Sequence, residues 1–140
     1  MSRSIGLAAA IAASLASFSV QAETITYHAV LNGASEVPTN TTTGTGTVSA
    51  TVDTDTKMLA YTIQYKGLSG PATAGHFHGP ASASESAGIM IPILAPLNNP
   101  INGMARLSDA DISAFKAGHV YANIHTKEHP GGEIRGQMIQ

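Results

Sequence analysis

The chain has 140 residues, no cysteine, no tryptophan and a formal net charge of −2. Without cysteine there is no disulfide, no thiolate metal site and no cysteine nucleophile. The mildly acidic balance, with no run of basic residues, argues against nucleic acid and anionic membrane surfaces as partners.

The N-terminus reads as an export leader. Arg3 precedes an apolar, alanine-rich stretch from Ile5 to Val20, and Val20-Gln21-Ala22 is a small-residue cleavage pattern. The apolar stretch is short of the ~20 residues a membrane span needs. The expectation is a signal peptide over residues 1–22, then one domain over residues 23–140, periplasmic or secreted and free of the membrane after cleavage.

The rest of the chain alternates with period two. Ile25, Tyr27, Ala29 and Leu31 share one face of a first strand, and Val48, Ala50 and Val52 one face of a second. Leu59, Tyr61, Ile63 and Tyr65 continue the pattern after Asp53-Thr54-Asp55-Thr56, a turn that makes a hairpin of these two strands. Thr39 to Thr47 reads as a loop or a weak strand entry, and Ala81 to Gly88 as a small, polar, mobile loop. Ala74, His76 and His78 share a strand face opposite Phe77. Ile89 to Leu94 is apolar, but Pro92 confines it to an edge strand or bulge. Leu97 to Gly103 reads as a Pro/Asn-rich connection.

Ser108 is a good N-cap with Asp111 at the capping-box position, and Gly118 is a natural stop, which predicts a helix near residues 109–117. Val120, Ala122 and Ile124 then alternate against Tyr121, Asn123 and His125, and Ile134, Gly136 and Met138 against Glu133, Arg135 and Gln137. The expected fold is all-β, an antiparallel sandwich or Greek-key barrel with one short helix.

Five of the six histidines fall in two segments, His76–His78 and His119–His129. Alternate residues on a strand stand about 6.6 Å apart at Cα, and one ion between two imidazoles takes bonds of about 2 Å, so His76 and His78 can share a metal. His125 is the expected third ligand and His129 a weaker fourth, with copper or zinc as the ion. The competing reading is a structural pair bonded to backbone or to Asn123. His119 lies about 20 Å from His125 along an extended strand, at the opposite end of the domain, and His28 reads as a surface residue. Glu133 and Arg135, two residues apart, are expected to form an ion pair that locks the last strand; the alternative is a carboxylate that orients a ligating histidine. No serine-nucleophile elbow, phosphate loop or paired-carboxylate arrangement is present in the sequence.

These segments carry a family resemblance. Gly75-His76-Phe77-His78-Gly79-Pro80-Ala81, Gly118 to Thr126, and His129 to Gln137 resemble three blocks of the CHRD domain, in the family's order. Leu31 to Pro38 and Gly67 to Gly70 resemble its opening strand and a mid-domain turn. The family, named after the extracellular protein chordin, also occurs as stand-alone exported bacterial domains. The resemblance implies an immunoglobulin-like or superoxide-dismutase-like β-sandwich and no settled activity. Chordin's growth-factor binding does not transfer, because its cysteine-rich modules are missing. A fainter likeness to copper–zinc superoxide dismutase rests on the strand His76/His78 pair with a late His125. Against it, no histidine lies between Ala81 and Gly118 and the structural disulfide is impossible.

The function expected from all of this is a non-enzymatic binding module with a histidine-based copper or zinc site. The alternatives are a protein–protein interaction module with structural histidines, or a dismutase-like metalloenzyme.

Overall fold

The structure is a computed structural model that describes residues 22–140; the expected leader lies almost wholly outside the described residues. Among the described residues, eight antiparallel strands form one sheet: β1 (Thr24–Asn32), β2 (Thr45–Asp53), β3 (Met58–Lys66), β4 (Ala72–His78), β5 (Ile89–Pro92), β6 (Ile101–Arg106), β7 (Tyr121–Thr126) and β8 (Ile134–Gln137). Their order across the sheet is β5-β4-β7-β8-β1-β2-β3-β6. The halves β5-β4-β7-β8 and β1-β2-β3-β6 meet at a thin seam, with Asn32 of β1 opposite Arg135 of β8 and a bridge from His28 to Ile139.

The sheet curls on itself into a barrel-like sandwich. β3 and β4 stand near opposite ends of the strand order, yet the rings of Tyr61 and Phe77 meet at 5.2 Å. Apolar alternation drives the closure. Ile25, Tyr27, Ala29 and Leu31, then Val48, Ala50 and Val52, then Leu59, Tyr61 and Ile63, all turn inward as the sequence indicates. They meet Phe77, Ala122, Ile124 and Ile134 from the other half in one buried cluster.

The helix α1 (Asp109–Lys116) starts as expected. Ser108 Oγ accepts from Asp111 N at 3.1 Å while Asp111 Oδ2 accepts from Ser108 N at 2.8 Å. Its buried face carries Ile112, Ala114 and Phe115. The Phe115 ring lies 5.2 Å from Tyr27 and 6.2 Å from Phe77, so the helix ties the two halves together. Gly118 follows with φ +71°, the left-handed stop a glycine provides.

One segment differs from expectation, and one left open by the sequence is decided. The supposed connection 97–103 contains the start of β6, which pairs with β3 from Ile63↔Ile101 to Met58↔Arg106. Its inward positions are Ile101, Gly103 and Ala105, while Met104 faces solvent, so the usual contrast between faces is missing. Gly103 is where Tyr61 lies: a Cβ there would fall 2.2 Å from the tyrosine oxygen. β2 begins at Thr45, so the end of the stretch 39–47 is a strand entry; its first inward residue, Gly46, has no side chain to reveal the alternation. β5 stands at the sheet edge, as Pro92 requires.

Phe77 is fully buried between β3 and α1. Phe77→Ala is expected to lower the unfolding free energy by about 3–5 kcal/mol in urea titration. An unmoved midpoint would contradict this placement.

Candidate metal centre

β7 is buried on both faces along its whole length. Ala122 and Ile124 face the apolar core; Tyr121, Asn123 and His125 face the other way, beneath loops. Antiparallel pairing with β4 sets His76 opposite Asn123, His78 opposite Tyr121 and Ala74 opposite His125. The alternation that sends Phe77 into the core sends both β4 histidines to this second face.

His76, His78 and His125 each bring a ring nitrogen to within 4.8 Å of the others. His76 Nδ1 lies 3.0 Å from His125 Nε2. Asn123 Oδ1 lies 3.1 Å from His78 Nε2 and 3.0 Å from His125 Nε2. His78 and His125 are each 8% exposed and His76 is half-buried, so the cluster reaches solvent through His76.

Loops fix the ring orientations. His78 Nδ1 lies 3.0 Å from the Ala87 carbonyl and His125 Nδ1 2.9 Å from the Pro130 carbonyl. A carbonyl only accepts, so each Nδ1 carries the proton and the Nε2 lone pair of each neutral ring turns toward the cluster. Backbone acceptors hold metal-ligating histidines in this way. Burial, together with the neighbouring His125 and His78 rings, moves His76 below its ordinary value. Burial does the same to His78, against the Ala87 carbonyl and Asn123 side chain, which favour the protonated ring. Both shifts favour the neutral, ligating form. Three convergent neutral imidazoles are a donor set that fits copper or zinc.

Tyr121 floors the cluster. Its ring stacks on His78 at 4.8 Å with 6° between planes, and the Arg135 guanidinium carbon sits 3.5 Å from its centroid. Arg135 Nη2 donates to the carbonyls of Ser82 (3.2 Å), Ala83 (3.4 Å) and Glu85 (2.6 Å). The loop expected to be mobile is therefore pinned over this face, and the same loop supplies the Ala87 carbonyl.

Glu133 and Arg135 do not pair, contrary to expectation. Both are buried, on separate partners. Glu133 accepts from Thr42 Oγ1 (2.6 Å), Thr126 Oγ1 (2.6 Å), Ser69 Oγ (2.7 Å) and Ser69 N (2.8 Å), and from no histidine. Burial alone would raise this carboxyl, but the bonds from Thr126, Thr42 and Ser69 outweigh it and hold Glu133 down at about 2. His129 does not join the cluster. Its carbonyl closes the turn after β7, accepting from Thr126 N at 3.3 Å and Gly132 N at 3.1 Å. His119 is exposed at the end of α1, and His28 is exposed on β1.

Sequence reasoning missed Glu36. It follows the short 3-10 turn Gly33–Ser35, is 5% exposed, and leaves Oε1 without a hydrogen-bond partner. Burial pushes it up to about 7, against the lowering pull of Arg135, the Val37 backbone and the Asn123 side chain. No local pattern marks it: its surroundings come from the turn before β8.

Fold and site together define a class: an all-β domain with a three-histidine cluster on the outer face of its sheet, roofed by loops. The family model for the CHRD domain matches residues 27–138, from β1 through β8 and every residue of the cluster. The chain belongs to the CHRD domain family. Neither the curated proteins nor the solved structures offer a match.

The Glu133 carboxyl, at about 2 when folded against an ordinary 4.5, stabilises the fold at all pH values above the ordinary value. That contribution is lost as pH falls from about 4.5 through about 2. Unfolding midpoints of wild type should drop across this window more steeply than those of Glu133→Gln; parallel pH profiles would contradict the assignment.

Proposed function

We propose that this CHRD domain is an exported, non-enzymatic module that binds a transition-metal ion, copper or zinc, through His76, His78 and His125. The observation that carries the reading is the pair of Nδ1–H groups tied to the Ala87 and Pro130 carbonyls, which leaves the Nε2 lone pairs of His78 and His125 aimed at one point beside His76. Hydrogen bonding to backbone alone does not require three imidazoles to converge. Export rests on the N-terminal leader pattern, and a cysteine-free imidazole site suits an oxidising compartment because no ligand is lost to disulfide formation.

A protein-binding role is the second reading. It is supported by β6, which stands at one end of the strand order and exposes Met104 at 66%.

Calorimetric titration of tag-free protein with Cu²⁺ or Zn²⁺ is expected to give one ion per chain, and His76→Ala with His78→Ala to abolish uptake. Equal uptake by the double variant sinks the metal reading and favours the second. Because His76 and His78 lie below their ordinary value of 6.5, the ion should be held at pH 6.5 and lost only in stronger acid, as protons displace it. For export, N-terminal sequencing of the mature protein is expected to begin at Glu23, and an intact Met1 contradicts the leader.

A further inference from the structure

Asn123 is buried in the middle of the cluster, and its surroundings constrain which way its amide points. The Nδ1 atoms of His78 and His125 are committed as donors to carbonyls, so both Nε2 atoms present lone pairs. Both face Asn123 Oδ1, at 3.1 and 3.0 Å, which is also an acceptor. His125 Nε2 can accept from His76 Nδ1 at 3.0 Å, but Asn123 Oδ1 still faces both Nε2 lone pairs at contact distance, a repulsion that a positive centre among them relieves. Four donors around an ion with bonds of about 2.0–2.1 Å stand about 3.3 Å apart; Asn123 Oδ1 lies 3.0–3.1 Å from two of the imidazole nitrogens, and the three histidine nitrogens lie within 4.8 Å of one another.

The opposite amide orientation would turn Nδ2 toward the imidazoles and satisfy both rings with no ion. Glu36 opposes it. Its carboxyl borders the same glycine as the Asn123 amide nitrogen and is itself lowered by the Asn123 side chain. The two meet over Gly132, where a Cβ would come within 2.5 Å of Glu36 Oε1 and 2.8 Å of Asn123 Nδ2. The glycine leaves the room they need. Oε1 of Glu36 has no other partner, so turning Oδ1 toward it would set two acceptor oxygens side by side; the amide nitrogen belongs on that side and the oxygen at the cluster.

We propose that Asn123 Oδ1 is the fourth donor of the centre, with Glu36 as the positioning residue that keeps the amide turned. This rests on the metal reading above. Three imidazoles and a hard amide oxygen form a set for a divalent borderline ion such as Zn²⁺, Co²⁺ or Cu²⁺, and a poor one for Cu⁺, which prefers sulfur.

The test uses Co²⁺ as a spectroscopic probe on the full mature chain, without a histidine tag, at pH 8. Wild type is expected to bind one Co²⁺ with the intense visible bands of four-coordination. Asn123→Leu should bind about tenfold to a hundredfold more weakly, with weaker bands as water fills the vacated position. Glu36→Gln should weaken binding less and keep the band shape. Asn123→Asp, nearly the same shape, carries the test if the leucine variant does not fold: a charged oxygen should bind at least tenfold more tightly. The proposal is overturned if Asn123→Leu matches wild type in affinity and bands while His76→Ala with His78→Ala loses both. It is equally overturned if Asn123→Asp leaves affinity unchanged. A wild-type chain that takes up no Co²⁺, Zn²⁺ or Cu²⁺ overturns the metal reading itself, and this proposal with it.

Discussion

A strand buried on both faces governs this molecule. β7 has no solvent side, so every polar group on it must find a partner inside the protein. The inward face meets the requirement with Ala122 and Ile124. The outward face carries Tyr121, Asn123 and His125, and around these the loops are arranged. Arg135 pins the 82–85 backbone over Tyr121, the Ala87 and Pro130 carbonyls take the imidazole protons, and Gln137 Nε2 donates to the Ala81 and Gly118 carbonyls at 2.8 Å each. The domain thus has an apolar core between its two half-sheets and a smaller polar core outside one of them. The histidine cluster is the open end of that second core, exposed only at His76.

Two buried carboxyls show how local supply of donors sets chemistry in the polar core. Glu133 sits among hydroxyls from three segments and is held ionised down to about 2. Glu36 meets few donors, so burial dominates and pushes it up to about 7. Burial disfavours charge in both; the difference is whether hydrogen bonds answer it. Glu133 is a structural clamp that joins the loop at Thr42, the turn at Ser69 and the end of β7. Glu36 leaves an oxygen orphaned beside Asn123, as Gln137 leaves its Oε1, and a buried group left unsatisfied at the histidine cluster is a natural place for function.

Much of this was legible in the sequence, for a physical reason. Where large apolar residues occupy successive inward positions, as in β1 and β3, the alternation is unambiguous; the helix announced itself through Ser108, Asp111 and Gly118. β6 escaped, and the start of β2 stayed ambiguous, because Gly103 and Gly46 occupy inward positions and carry no side chain to show the face. His76 and His78 were legible as a same-face pair, and their convergence with His125 depended only on β4 pairing with β7 in register. The partners of Glu133 and Arg135 were not legible. Spacing correctly gave both the same face, but each charge is answered by groups from distant loops, hydroxyls for one and carbonyls for the other. Those partners are set by tertiary closure. Glu36 was hidden for the same reason.

This arrangement bears on why a cluster of neutral imidazoles persists on this domain. Burying His78 and His125 without a positive centre leaves ring nitrogens facing the oxygen of Asn123, which costs stability relative to a simple apolar packing. Protonation would relieve the contact, but burial resists it at His78 and His76. A bound cation relieves it without placing a proton on any ring, since the ion brings its own charge to the point where the lone pairs meet. Ligand binding that removes an existing repulsion also stabilises the folded state, because only that state assembles the donors. For a small domain with no disulfide, an ion seated between β4 and β7 would then strengthen the contact between the two strands that support the polar core.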